Sequence, residues 1–217
     1  KSSTNRAPRQ FTKGEAGDQH TLRLELKVLA DVGLLGLPNA GKSTLTRTIS
    51  AARPKVADYP FTTLEPNLGT VRIDYGRSFV IADLPGLIKG ASTGSGLGLR
   101  FLRHLDRTKL LLHVVEIPAD KNFQAVTDKI MEILTELKQY GNHIYSKPRW
   151  LVLNKIDLFS EKQSKKMFTK LTNILQDNHQ KIFFISAASG TGCNELTGEI
   201  MRYLEQINET QNTSGKP

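Results

Sequence analysis

Short apolar runs of strand length punctuate this chain, and most are separated by longer stretches whose apolar residues recur along one side of a helix. The apolar runs cover residues 28–37, 68–73, 79–83, 110–116, 150–154 and 182–186. Amphipathic helices are predicted over 42–50, 97–107, 122–140, 161–177 and 194–206. Strand alternating with helix predicts an α/β fold in which a mainly parallel six-stranded sheet is covered by helices on both faces. A ligand of such a sheet is expected beyond the carboxyl ends of the strands.

Residues 1–27 are polar, with little periodicity, and are too thin in apolar residues to fold alone. They read as a linker or the remnant of another domain, 28–208 as the folded domain, and 209–217 as a polar disordered tail or a cut linker. A length of 217 residues with 38% hydrophobic residues suits one ordinary domain. No apolar run approaches the roughly 20 residues of a membrane span, so no membrane partner is expected. Cys193 is the single cysteine; it leaves no internal disulfide and suits a reducing compartment, which points to the cytoplasm. A net charge of +9 favours partners of negative potential, RNA among them, although solvated helix faces account for charge equally well.

The turn after the first apolar run carries the chemistry. Gly36, Leu37, Pro38, Asn39, Ala40, Gly41, Lys42 and Ser43 fit a phosphate loop placed between a strand and a helix. Its glycines let successive N–H groups face phosphates, Lys42 reaches the outer phosphates, and Ser43 ligates Mg²⁺. Asp83, Leu84, Pro85 and Gly86 end the third run, so that Asp83 can hold Mg²⁺ through water and Gly86 can offer its N–H to a γ-phosphate. Asn154, Lys155, Ile156 and Asp157 close another run, where an Asp can accept from the N1–H and 2-amino group that guanine has and adenine lacks. Ser186, Ala187 and Ala188 can complete a base site by offering backbone N–H to the guanine oxygen. The loop holding Phe61, Thr62, Thr63, Leu64 and Glu65 lies where a γ-phosphate would be sensed, with Thr63 the candidate second Mg²⁺ hydroxyl and Thr62 its rival.

These motifs, together with Leu29-Ala30-Asp31-Val32-Gly33, Tyr59-Pro60-Phe61-Thr62-Thr63-Leu64 and Asp83-Leu84-Pro85-Gly86-Leu87-Ile88, resemble the Obg family of bacterial GTPases along nearly the whole chain. Residues 1–8 look like the end of the glycine-rich domain that precedes the G domain in that family. The resemblance implies a P-loop GTPase fold and a cytoplasmic, Mg²⁺-dependent GTPase that exchanges nucleotide quickly, hydrolyses slowly and acts in large ribosomal subunit assembly and stress responses, with ppGpp as a further candidate ligand. A monomer is expected. Lys42, Thr63 and Gly86 are the candidate catalytic residues, and Ser43, Thr63 and Asp83 the candidate metal ligands. Lys89 departs from the family pattern, which has an acidic residue there, and the glycine-rich 90–98 stretch also differs; both bear on switching rather than nucleotide binding.

Leu87 occupies the position where Ras-type enzymes place a water-orienting glutamine, and leucine can neither donate nor accept a hydrogen bond. Slow intrinsic hydrolysis follows, unless a partner or a K⁺ ion held by Asn39 supplies the missing stabilisation; the bland alternative is that Asn39 braces the loop locally. Two rival functions remain: a nucleotide-sensing scaffold whose hydrolysis is irrelevant, and a tRNA-directed GTPase of the same superfamily. The basic stripes Arg100, Arg103, Arg107 and Lys162, Lys166, Lys170 read more simply as solvated faces than as RNA contacts, and His104, His113, Cys193 and Trp150 as structural.

Overall fold

The computed structural model describes residues 14, 17–21, 30–51, 55–56, 67–83, 107–120, 122–159 and 181–214. Within them the chain forms β1 (Val32–Leu35), α1 (Lys42–Ile49), β2 (Lys55–Val56), β3 (Asn67–Asp74), β4 (Arg77–Asp83), β5 (Leu110–Glu116), α2 (Phe123–Tyr140), α3 (Asn142–Tyr145), β6 (Arg149–Asn154), β7 (Lys181–Phe184) and α4 (Cys193–Ser214). The strands make one sheet in the order β2-β3-β4-β1-β5-β6-β7. β4, β1, β5, β6 and β7 are mutually parallel, and β3 runs antiparallel to β4.

All six strands read from the apolar runs form, and the two-residue β2 adds a seventh at the edge, antiparallel to β3. It is too short to leave a periodic signal. β5 and β6 are mostly apolar and buried almost along their whole length, and both lie inside the sheet, as expected of strands covered on both faces. β3 alternates instead: Gly69 and Val71 are buried while Thr70 and Arg72 are exposed.

Each face of the sheet buries its own core. On one, Val32, Leu34, Ile81, Leu112 and Val152 meet Leu45 of α1 and Leu196, Ile200 and Leu204 of α4, with Trp150 stacked between Phe183 and Tyr203 at ring distances of 5.4 and 5.3 Å. On the other, Leu111, Leu151 and Leu153 meet α2 through Val126, Ile130, Ile133, Leu134 and Leu137, one stripe of its helical repeat. Asn122 caps α2 by accepting from the Ala125 N–H at 3.2 Å.

Two readings are corrected. The last helix does not end near Gln206: α4 continues to Ser214, so residues 209–214 prolong a helix where a disordered tail was expected. Its last two turns are polar, so no apolar stripe marks them; Thr210 Oγ1 donates back to the Gln206 carbonyl at 2.8 Å. The short α3 was also unforeseen. The predicted helices over 97–107 and 161–177 lie outside the described residues, apart from Arg107, which sits in the turn before β5.

Candidate functional site

β1, β4, β5 and β6 are parallel and their carboxyl ends lie on the same side, with β1 flanked by β4 and β5, the place where a crevice opens in this kind of sheet. The phosphate-loop residues span from β1 to α1. Gly36 and Gly41 have φ of 147° and 95°, and Asn39 has φ of 65°, a left-handed conformation that Asn tolerates better than most residues. Both glycines are also required by space: a Cβ would meet the Val114 carbonyl oxygen at 2.2 Å from Gly36 and Asn154 Nδ2 at 2.1 Å from Gly41.

Lys42 donates to the carbonyl oxygens of Gly36 at 2.8 Å and Leu37 at 3.1 Å, folding its ammonium over the loop. Burial lowers its pKa, and the nearby Asp83 carboxylate partly offsets that shift. Ser43 Oγ donates to Asp83 Oδ2 at 2.5 Å, which joins the first turn of α1 to the end of β4. Asp83 is 2% exposed. A hydroxyl and a buried carboxylate meeting beside a phosphate loop are the hard oxygen donors that Mg²⁺ takes, so these residues fit that ion.

Asn154 ties the site together. It is 2% exposed; its Nδ2 donates to the Ala40 carbonyl at 2.9 Å, and its Oδ1 accepts from the Ala187 N–H at 2.9 Å. One side chain thus staples the phosphate loop to the loop after β7. Thr48 of α1 adds a second tie by donating to the Ala187 carbonyl at 2.6 Å. Lys155 follows in the left-handed region with φ of 71°, and the Ile156 N–H donates to the Ile185 carbonyl at 3.2 Å, fixing the turn against the end of β7. Asp157 is exposed, and no hydrogen bond or ion pair from a described residue engages its carboxylate.

The three small residues after β7 are not equivalent. The Ser186 N–H donates to the Thr191 carbonyl and the Ala187 N–H to Asn154, whereas Ala188 is exposed and its N–H has no partner among the described residues. Asn39 is exposed, and among the described residues its side chain makes no bracing hydrogen bond. His113 is fully buried in β5, in keeping with a structural role. Cys193 is also buried, with its thiol pKa pushed up by that burial, so it is a poor nucleophile.

Phe61, Thr62, Thr63, Leu64, Glu65, Leu84, Pro85, Gly86 and Leu87 lie outside the described residues, as do Arg100, Arg103, Lys162, Lys166 and Lys170. Glu116 and Lys129 were missed by motif reading. A carboxylate closing an apolar strand at the ligand-binding edge was the signal that could have found the first.

A strand–loop–helix phosphate cradle, an acid at the end of the neighbouring strand and an Asn-Lys-Ile-Asp turn beyond it make this an α/β P-loop G-domain fold. The chain belongs to the 50S ribosome-binding GTPase family, whose model matches residues 31–155. It is 57% identical over 208 residues to GTPase Obg of Acidithiobacillus ferrooxidans, an alignment covering 95% of this chain and 55% of that protein. The chain therefore spans about half the length of the curated relatives it matches. Among solved structures it resembles the G domain of the FeoB iron transporter of T. maritima (TM-score 0.55, 25% identity, 80% of this chain and 97% of the other). It also resembles an Aquifex aeolicus Era variant bound to GDP·AlF4⁻ (TM-score 0.59, 23% identity, 80% and 56%). No helix among the described residues is long and apolar enough to cross a membrane.

Proposed function

We propose that this chain binds GTP and GDP with Mg²⁺ and hydrolyses GTP slowly, acting as a cytoplasmic, monomeric switch of the Obg type. The observation that carries this reading is the Asn154 staple, which holds the phosphate loop and the loop after β7 together while Asp157 and the Ala188 N–H stay open beside them. In this reading Asp157 accepts from the guanine N1–H and 2-amino group, and Ala188 donates to the guanine oxygen. The other residues of the four motifs, from Gly36 to Ser43, Asp83 to Gly86, Asn154 to Ile156 and Ser186 to Ala187, complete the nucleotide's surroundings.

Lys42 exchanges the Gly36 and Leu37 carbonyls for the outer phosphates, a transfer favoured because its half-buried ammonium gains a full counter-charge. Ser43 and Asp83 hold Mg²⁺, with Thr63, or Thr62 in its place, giving a second hydroxyl. The ion neutralises charge developing on the phosphates. Gly86 offers its N–H to the γ-phosphate, and Phe61, Leu64 and Glu65 belong to the loop that senses it. Leu87 gives the attacking water nothing to bond to, so the intrinsic rate is low. Asn39, exposed at the tip of the loop, takes a K⁺ ion where a positive charge would act on the transition state.

The partner in this reading is the large ribosomal subunit, approached through rRNA phosphates, and ppGpp competes with GDP. Residues 28–208, prolonged by the end of α4, form the G domain, and 1–27 lead into it from a glycine-rich domain. The test is multiple-turnover phosphate release from GTP, with and without purified large subunits, in K⁺ and in Na⁺ at equal ionic strength. Turnover is expected to be several-fold faster in K⁺, and stimulation by subunits to be weak for this chain, to fall with added salt, and to grow when the glycine-rich domain is joined to it. Equal rates in the two cations remove the Asn39 ion. An unstimulated rate in every arm, despite tight GDP binding, favours a nucleotide-sensing scaffold, and preferential stimulation by tRNA favours a tRNA-directed enzyme.

A further inference from the structure

Glu116 belongs to none of the four motifs, yet it ends β5 where the crevice opens. Its register partner in β6 is Asn154, and the Ile117 N–H donates to the Asn154 carbonyl at 3.0 Å, so the backbone here is fixed. From that fixed point the carboxylate holds two ammonium groups on different elements. Lys129 of α2 donates to Oε1 at 2.9 Å, and Lys155 of the Asn-Lys-Ile-Asp turn donates to Oε2. Burial pushes the Glu116 pKa up, but the two lysines outweigh it and hold it below the ordinary carboxylate range. Glu116 and Lys129 also line a cavity of about 60 Å³ together with Leu37, Pro38 and Ala40 of the phosphate loop.

Lys155 is a sensitive residue to hold. Its φ of 71° is uncommon for a side chain of its kind, and it stands between Asn154, which staples the two loops, and Asp157, whose carboxylate is open. Rotation of its backbone would swing Asp157 relative to the phosphate loop.

We propose that Glu116 is the positioning residue of the base site: through Lys155 it holds the 154–157 turn in the shape that receives the guanine base. Lys129 shares the carboxylate from its other oxygen, drawing on the same negative charge and repelling the Lys155 ammonium, so the residence time of the nucleotide depends on how the charge of Glu116 is shared between the two lysines. The inference rests on the guanine-nucleotide reading of the crevice. Helix α2 thereby gains an electrostatic line to the base site through Glu116.

Loss of Glu116 and loss of Lys129 should act with opposite sign, which a merely structural role for the cluster would not produce. The experiment is release of fluorescently labelled GDP, chased with unlabelled GDP in Mg²⁺ buffer, from the wild-type chain and from Glu116→Gln, Lys129→Met and the double variant. Glu116→Gln is expected to release about tenfold faster, the loss of roughly one charge-assisted hydrogen bond. Lys129→Met is expected to release several-fold slower, because the charge of Glu116 then serves Lys155 alone, and an unchanged rate overturns the sharing. The double variant should match Glu116→Gln, since Lys129 acts only through Glu116. A wild-type rate in Glu116→Gln, or a Lys129→Met variant accelerated as much as Glu116→Gln, overturns the proposal while leaving nucleotide binding intact. A wild-type chain that does not bind labelled GDP overturns the nucleotide reading itself.

Discussion

Replacing Asn154 by alanine is expected to weaken nucleotide binding by two orders of magnitude or more, roughly, and to lower stability at the same time. The substitution strands two buried backbone groups, the Ala40 carbonyl and the Ala187 N–H, each of which now has the Asn154 amide at 2.9 Å. An unsatisfied buried polar group costs about 1–3 kcal/mol, so the pair costs about 2–6 kcal/mol, against a typical domain stability of about 5–15 kcal/mol. The chain should still fold, because the two hydrophobic cores on either face of the sheet do not depend on Asn154. What it loses is the fixed spacing between phosphate loop and base loop, and a ligand that binds both must then restore the order out of its own binding energy. Asn154→Asp separates the two halves of the effect: it keeps an acceptor for the Ala187 N–H and removes the donor to Ala40. Its nucleotide affinity should fall mainly through the phosphates, so that guanosine and GDP are affected unequally. Titration with labelled GDP and urea unfolding measure the two effects. Wild-type GDP affinity in Asn154→Ala would show that the staple does not organise the site.

The staple also marks the limit of what the sequence made legible. Gly36 to Ser43 could be read because a phosphate loop is local: its geometry is set by glycines and one helix start within eight residues, and the positive φ values fall on Gly36, Asn39 and Gly41 as that geometry demands. The strands were legible because burial on both faces leaves mostly apolar runs, as in β5 and β6. Asn154 was read only as part of the base motif, since its hydrogen-bond partners lie 114 and 33 residues away and nothing in the local pattern names them. Glu116 was passed over for the same reason, with Lys155 39 residues distant. The end of α4 failed differently: an exposed helix can run on through polar residues once earlier turns have paid for its nucleation, and periodicity then has nothing to show. Asp31, just before β1, likewise acts at long range, accepting from the Val80 N–H of β4 at 3.0 Å and pairing at 3.2 Å with Lys109, just before β5.

Asp157→Asn is expected to reverse the choice of base, from guanine to xanthine nucleotides. Asp157 stands in the short helical turn Ile156–Leu158, exposed, and the turn is fixed from behind by the Ile156 N–H on Ile185. An ionised carboxylate can only accept, which suits the N1–H and 2-amino group of guanine; hydrogen bonds to a charged group are worth about 1.5–3 kcal/mol each, so losing one and keeping the other only as a neutral bond costs roughly 2–5 kcal/mol, or about two to three orders of magnitude in GTP affinity. The asparagine amide presents one donor and one acceptor instead. Xanthine replaces the 2-amino group by an oxygen, so the amide donor meets an acceptor there while its carbonyl keeps the N1–H. The change is confined to the base edge, because Asn154 and Ala188 are untouched and the phosphate loop still has Lys42 and Ser43. Inhibition of labelled XDP binding by GDP, and of labelled GDP binding by XDP, gives the ratio of the two affinities for wild type and variant. A variant that loses GDP without gaining XDP would mean that the substitution deforms the turn, and one that keeps guanine selectivity would place the base elsewhere. Combination with Glu116→Gln sharpens the distinction: if Glu116 sets how long the turn stays closed and Asp157 which base it closes on, the double variant should prefer xanthine and release it about as much faster as Glu116→Gln releases GDP.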